Sequence, residues 1–192
     1  YIISKGVSVK NKEEALRKIK TYSYYSIINT YKDVFKNINN EYKKNVSFDE
    51  IYALFEFDKN LRSIFLKYLL EIEMILKSLL AETLSSRYGI KEYLIKENFD
   101  NTVNETTITE SIDVIEEEIN KQNGKHEAVT HYINEYGFVP PYVLTKILTL
   151  GELSRLYIML KQSDRQNISK IFKLSDKVLK QIIINMTMIR NI

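Results

Sequence analysis

Several groups of side chains in this sequence have the types and spacing to do chemistry. Glu73 and Lys77 stand four residues apart, as do Asp58 and Arg62. On a helix that spacing brings an acid and a base onto one face, where an exposed pair contributes about 0.3–0.5 kcal/mol. The Asp58–Arg62 pair reads as structural, whereas Glu73 and Lys77 read equally as a surface pair or as part of a site. Tyr24, Tyr25 and Tyr31, with Lys32 beside them, offer ring faces on which bases stack and an ammonium for a phosphate. Aromatic residues at helical spacing also fill cores, so packing competes with that reading. His126 and His131 are five residues apart. Five residues turn a helix by about 500°, leaving the rings about 140° apart, unlike the four-residue spacing of a zinc helix. With no cysteine in the chain, no metal site and no cofactor is expected. The glycine-rich phosphate loops of nucleotide-binding proteins are missing, and no Ser/His/Asp set stands in a recognisable context.

The elements that must position these groups read as helices. Gly (5) and Pro (2) are scarce in 192 residues, which favours long helices over a turn-rich β fold. Three helix starts carry a short polar cap with Glu three residues on: Asn11 with Glu14, Ser47 with Glu50, and Thr107 with Glu110. Ser175 and Asp176 open the last helix. The longest element is expected over residues 58–88, a spine whose stripe is Leu61, Phe65, Leu69, Ile72, Leu76 and Leu79, closed by Gly89. Residues 98–106 read as a loop, 108–121 as an acidic amphipathic helix set apart from the core, and 122–125 as a break. Pro140 forces extended backbone, and Pro141 leads a helix over 142–149. Gly151 and Glu152 start another. The last helix, from Asp176, is apolar almost all round, which predicts burial in the middle of a bundle.

The chain is thus expected to be all-α and a single domain over 1–192. Its parts would be an N-terminal helical region (1–46), a core bundle (47–97 and 136–192) and an acidic insert (98–135). Net charge is +3 overall, but −7 over residues 91–135 against +10 over the two flanks, so one face can meet a polyanion while another is acidic. No apolar run approaches the length of a membrane span, and the lack of cysteine fits a cytoplasmic location. Tyr1 in place of Met, and an end at Ile192 with no residue to stop the helix, lead to the expectation that the native chain is longer.

Six segments in order resemble the Abi-like (AbiD/AbiF type) abortive-infection family, which is similar to the HEPN group of helical ribonucleases. They are Tyr24, Tyr25, Asn29, Tyr31, Lys32 and Phe35; Ser47 to Leu54 with Phe57, Asp58, Leu61 and Arg62; and Ile72, Glu73, Lys77, Ser78, Tyr88 and Gly89. Then come His131, Tyr132, Pro140, Pro141, Tyr142 and Val143; Leu148 to Ser154; and finally Arg190 with Asn191. Each is short, but the ordered set spans nearly the whole chain.

The resemblance implies an HEPN-like bundle and metal-independent RNA cleavage. The ribose 2′-OH would attack the adjacent phosphorus, a histidine would move the proton, and a guanidinium would meet the charge growing on the phosphoryl oxygens. DNA lacks that hydroxyl, so the substrate would be RNA. Arg190 and Asn191 match the first two positions of the motif, Arg-polar-x-x-x-His, and the histidine position falls past Ile192. Glu73 would lie on the spine opposite Arg190 and orient it. RNA contacts are expected from Lys77, Arg62, Tyr24, Tyr25, Tyr31 and Lys32. The implied partners are RNA, including a regulatory small RNA, and a second copy of the chain in a homodimer. Two other readings stand beside cleavage: an RNA-binding protein of the same fold that does not cut, and a helical protein-interaction module.

Overall fold

The computed structural model describes residues 1–190. Their architecture is all-α, as the composition predicts. Eight helices follow one another: α1 (Lys12–Tyr22), α2 (Phe48–Tyr88), α3 (Glu105–Gln122), α4 (Glu127–Tyr136), α5 (Pro141–Ile147), α6 (Leu150–Met159), α7 (Gln162–Ile171) and α8 (Asp176–Arg190). Extended pairing among the described residues is limited to isolated bridges. The chain divides into two compact units, Tyr1–Lys67 and the part from Tyr68 onward, with the boundary inside α2.

In the first unit the caps act as the sequence indicates. The Glu14 amide donates to Asn11 Oδ1 at 3.0 Å, and Glu13 and Glu14 sit in the first turn of α1, where the helix dipole favours acids. Ser47 and Glu50 form a reciprocal box at the start of α2: Ser47 Oγ accepts from the Glu50 amide and Glu50 Oε2 from the Ser47 amide. Backbone bonds from Ser8 to Val46 and from Phe48 to Ser8, both 2.9 Å, pin the N-terminal strand-like segment beside that cap. Ile27 and Ile28, from a five-residue π-turn, pack with Val7, Ala15, Phe48, Ile51 and Phe55 in a small core.

Helix α2 begins ten residues before the expected spine and runs without a break through residues 54–58. Its apolar stripe is buried only in part. Leu69 and Leu76 are buried and Ile72 and Leu79 half-buried, but Leu61 and Phe65 are exposed. The first unit's core ends on α2 at Phe55 and the second's begins at Leu69, and the intervening stripe belongs to neither.

The second unit is a bundle around Leu76, Leu80 and Leu84 of α2, with Leu144, Leu153, Leu156, Tyr157 and Leu160 fully buried beside them. The acidic helix is not an excursion: Ile108 and Ile115 of α3 belong to this same core, and α3 packs on α5 and α6. Its glutamates line the outer faces. It also starts earlier than Thr107, because Asn104 caps it through the Thr106 amide at 2.8 Å. Gly89, at φ +80°, closes α2 in the left-handed conformation its position requires. Two helices, α4 and α7, stand in segments without a firm start signal.

The prediction that α8 is buried all round fails. Only Leu179, Ile183 and Met186 are buried, while Val178, Met188 and Ile189 are exposed. One apolar face packs on α6 and α7, and the opposite apolar face meets solvent. Buried polar staples lock the bundle. Asp164, 2 % exposed, accepts from Tyr88 Oη at 2.5 Å and Arg87 Nε at 3.1 Å, while Arg165 binds Asp100 and Asp176 and donates to two backbone carbonyls.

Candidate functional site

Glu73 is the residue around which a site forms. It lies on the buried side of α2 at 6 % exposure, between Leu69 and Leu76, where a helical period would place an apolar residue. A buried carboxylate is costly unless its charge is met. Here both oxygens are engaged by cations. Arg190 Nη1 donates to Oε2 at 2.7 Å and Lys77 Nζ to Oε1 at 3.1 Å. The first contact joins residues 117 apart in sequence. It brings the end of α8 against α2. Lys77 also reaches the Lys146 carbonyl of α5 at 3.5 Å.

Arg190 occupies the last turn of α8, where a cation offsets the negative end of the helix dipole. Its side chain is 37 % exposed, and its remaining guanidinium donors take no other partner among the described residues. One end of the planar fork is therefore anchored and the rest is presented outward, an arrangement suited to an anion. Two cations on one carboxylate leave the cluster with a net positive charge.

Two depressions adjoin the cluster. A groove of 670 Å³ includes Glu73, Lys77, Met74, Tyr142 and Lys146. A smaller cleft of 360 Å³ is lined by Arg190, Thr187, Thr149, Leu150 and Gly151. The cleft places Arg190 next to the N-terminus of α6, which a complete capping box closes: Thr149 Oγ1 accepts from the Glu152 amide and Glu152 Oε2 from the Thr149 amide. Gly151 has no side chain to obstruct the approach, and a Cβ built there meets only Thr149 Oγ1 at 3.8 Å. The guanidinium attracts a phosphate; at the helix N-terminus beside it the box takes the Thr149 and Glu152 amides, which leaves those of Leu150 and Gly151 to meet one. The sequence motif from Leu148 to Ser154 was legible, but its closeness to Arg190 was not, because nothing local links two segments about forty residues apart.

The remaining candidates fall differently. Asn191 lies outside the described residues. Arg62 pairs with Asp58 at 2.7 Å, as the four-residue spacing indicates. Tyr31 donates to Asp58 at 2.5 Å and stands 3.4 Å from Arg62. Its ring packs against the first unit's core, and its hydroxyl pKa is raised by burial and by the Asp58 carboxylate. Tyr31 is thus a bridging residue, half-buried between the first unit's core and the Asp58–Arg62 pair. Tyr25 is 73 % exposed. Tyr24 and Lys32 share a polar pocket of the first unit. Glu73, Lys77 and Arg190 belong to the second unit, and Tyr24, Tyr25, Tyr31, Lys32 and Arg62 to the first. His131 packs edge-on to Tyr132 and Tyr136, and no group of acids and histidines among the described residues has the geometry to hold a metal ion. No described helix is long and apolar enough to cross a membrane.

No curated protein and no solved structure matches this chain. Residues 17–192 match the family model of the Abi-like proteins, and the match takes in Glu73, Lys77, the α6 cap and Arg190. The chain belongs to the Abi-like protein family.

Proposed function

We propose that this protein is an abortive-infection ribonuclease of the HEPN type, which cuts RNA without a metal and acts in defence against phage. Membership of the Abi-like family supports the defence role. The observation that carries the chemical part is the anchoring of Arg190 on buried Glu73. That contact holds a guanidinium at the rim of a cleft with fixed orientation, so little rotamer freedom is lost when a phosphate binds.

In this reading the scissile phosphate lies between Arg190 and the amides that open α6. Attack by the 2′-OH places negative charge on the phosphoryl oxygens, and Arg190 stabilises it in place. Glu73 positions Arg190, and Lys77 balances the second carboxylate oxygen and adds positive potential along the groove. Proton transfer would fall to the histidine position of the family motif, with Asn191 holding that ring's tautomer or binding a phosphate oxygen. The products are a 2′,3′-cyclic phosphate and a 5′-hydroxyl. A homodimer with two Arg190 side chains facing one cleft is part of the reading. It is supported by the exposed Met188 and Ile189 beside Arg190, since apolar side chains grouped at a helix end favour a partner surface.

The test is incubation of the full-length protein with RNA in a chelator. Cyclic-phosphate ends are expected from RNA, with no cut at a 2′-deoxy substitution. Cleavage of the deoxy substrate, or activity only when a divalent metal is added, would refute the mechanism.

A further inference from the structure

The first unit contains a pocket that the cleavage chemistry around Arg190 does not use. It measures 530 Å³, within the range of about 300–1,000 Å³ usual for small-ligand sites. Three tyrosines, Tyr1, Tyr24 and Tyr42, and three lysines, Lys5, Lys32 and Lys36, line it against a single carboxylate, Glu41. The ion pairs of this unit use Lys18, Lys59 and Arg62, and none among the described residues uses the three pocket lysines. Lys36 instead donates to Asn40 Oδ1 at 2.6 Å and stands 5.8 Å from the Tyr42 ring centre. Lys5 is likewise 5.8 Å from the Tyr1 ring. These contacts fix ammonium groups beside aromatic faces.

The wall that carries Lys36 and Tyr42 is a rigid turn. Asn37 Oδ1 accepts from the amides of Asn39 and Glu41, and the Asn37 amide donates to the Glu41 carbonyl at 2.8 Å. Asn40 takes the left-handed conformation the turn needs, at φ +63°. Opposite it, Tyr24 follows α1 and meets Tyr1 edge-on with ring centres 6.4 Å apart. The hydroxyl pKa of Tyr24 is pushed up by burial and then by neighbouring tyrosines, and that of Tyr42 by burial, Tyr1 and the Asp33 carboxylate. Both therefore remain protonated donors at neutral pH.

We propose that this pocket binds a nucleotide, with its phosphate on Lys5, Lys32 and Lys36 and its base against the tyrosine rings. Uncompensated ammonium groups and phenolic donors meet a phosphate. The ring faces would have no use in a bare anion hole, and base–aromatic stacking contributes about 1–3 kcal/mol per base. The nucleotide is either one residue of an RNA strand or a free nucleoside monophosphate. The proposal holds whether or not Arg190 cleaves RNA.

The experiment is calorimetric titration of the full chain with four probes: AMP, adenosine, inorganic phosphate, and a short oligoadenylate lacking terminal phosphates. AMP is expected to bind at least tenfold more tightly than adenosine or phosphate. Lys32→Glu and Lys5→Glu should each weaken AMP at least tenfold, with circular dichroism unchanged, and Arg190→Ala should leave AMP affinity as in wild type. Tighter binding of the oligoadenylate than of AMP assigns the pocket to an RNA strand, and the reverse order assigns it to free nucleotide; both support it. Absence of binding by both AMP and the oligoadenylate overturns the proposal. So does phosphate binding as tight as AMP, or undiminished affinity in both lysine variants. A failed cleavage test leaves these measurements untouched, so the two readings can fall separately.

Discussion

Two acid–arginine pairs, one in each unit, use the same chemistry to different ends. Asp58 and Arg62 are neighbours on one turn of α2, separated by 2.7 Å and both open to water. Glu73 and Arg190 are also 2.7 Å apart, but they join two helices and the carboxylate is buried. In the first pair water solvates either charge when the partner leaves, so little is at stake. In the second, removing one partner leaves a buried charge short of a donor, so the contact can dictate where the guanidinium stands. Distance alone does not separate a surface ornament from a positioning contact; burial of the acid and sequence separation do.

The comparison breaks most visibly on function. Arg190→Ala in the full-length protein should lower RNA cleavage by about 10²–10³-fold, the effect of removing one strong donor from a developing oxyanion. Arg190→Lys should recover only part of the loss, because an ammonium lacks the planar fork. Next in size is Glu73→Gln. It leaves Arg190 present but loosely held, so the cleavage rate should fall further than RNA affinity does, and chemical denaturation should show a loss of about 1–3 kcal/mol. Arg62→Ala should change stability by less than about 1 kcal/mol and leave cleavage as it was. Equal destabilisation by the Glu73 and Arg62 variants would erase the distinction drawn between the pairs.

A third acid–arginine contact extends the comparison to pH. Burial works against ionisation of Asp100, but hydrogen bonds from Thr102 and the Arg165 guanidinium outweigh it and hold the carboxyl below its ordinary value. A depressed carboxylate contributes stability that is present above its unfolded pKa and lost as pH falls through the folded one. The second unit should therefore lose stability progressively below about pH 4. Asp100→Asn should flatten that acid limb in denaturation curves collected across pH. An unchanged limb would assign the acid sensitivity to other carboxylates.

Much of this was legible from local pattern. The Asn11 and Ser47 caps, the Gly89 terminus, the Pro140–Pro141 start and the Asp58–Arg62 pair each depend on residues within a turn or two of one another, where sequence spacing is geometry. Misreadings came where packing decides. Leu61 and Phe65 continue the stripe yet stay exposed, and α8 leaves Val178, Met188 and Ile189 exposed on its other face. The acidic look of α3 reflects its outer surface and conceals Ile108 and Ile115, which anchor it in the core. In the site itself, Glu73 and Arg190 were legible as a pair only through the family pattern. The proximity of the α6 cap to Arg190, and of Lys36 and Tyr42 to Tyr24, are tertiary facts with no local signal.

In the proposed mechanism Arg190, held by Glu73, is a working part of an RNA-cleaving site, and Arg62, paired with Asp58 on the surface, is not. Single-turnover RNA cleavage by the full-length protein and by its Arg190→Ala and Arg62→Ala variants tests it most directly. The expected result is a fall of about 100-fold or more for the first and a change of less than about twofold for the second. Equal rates in all three proteins would contradict it.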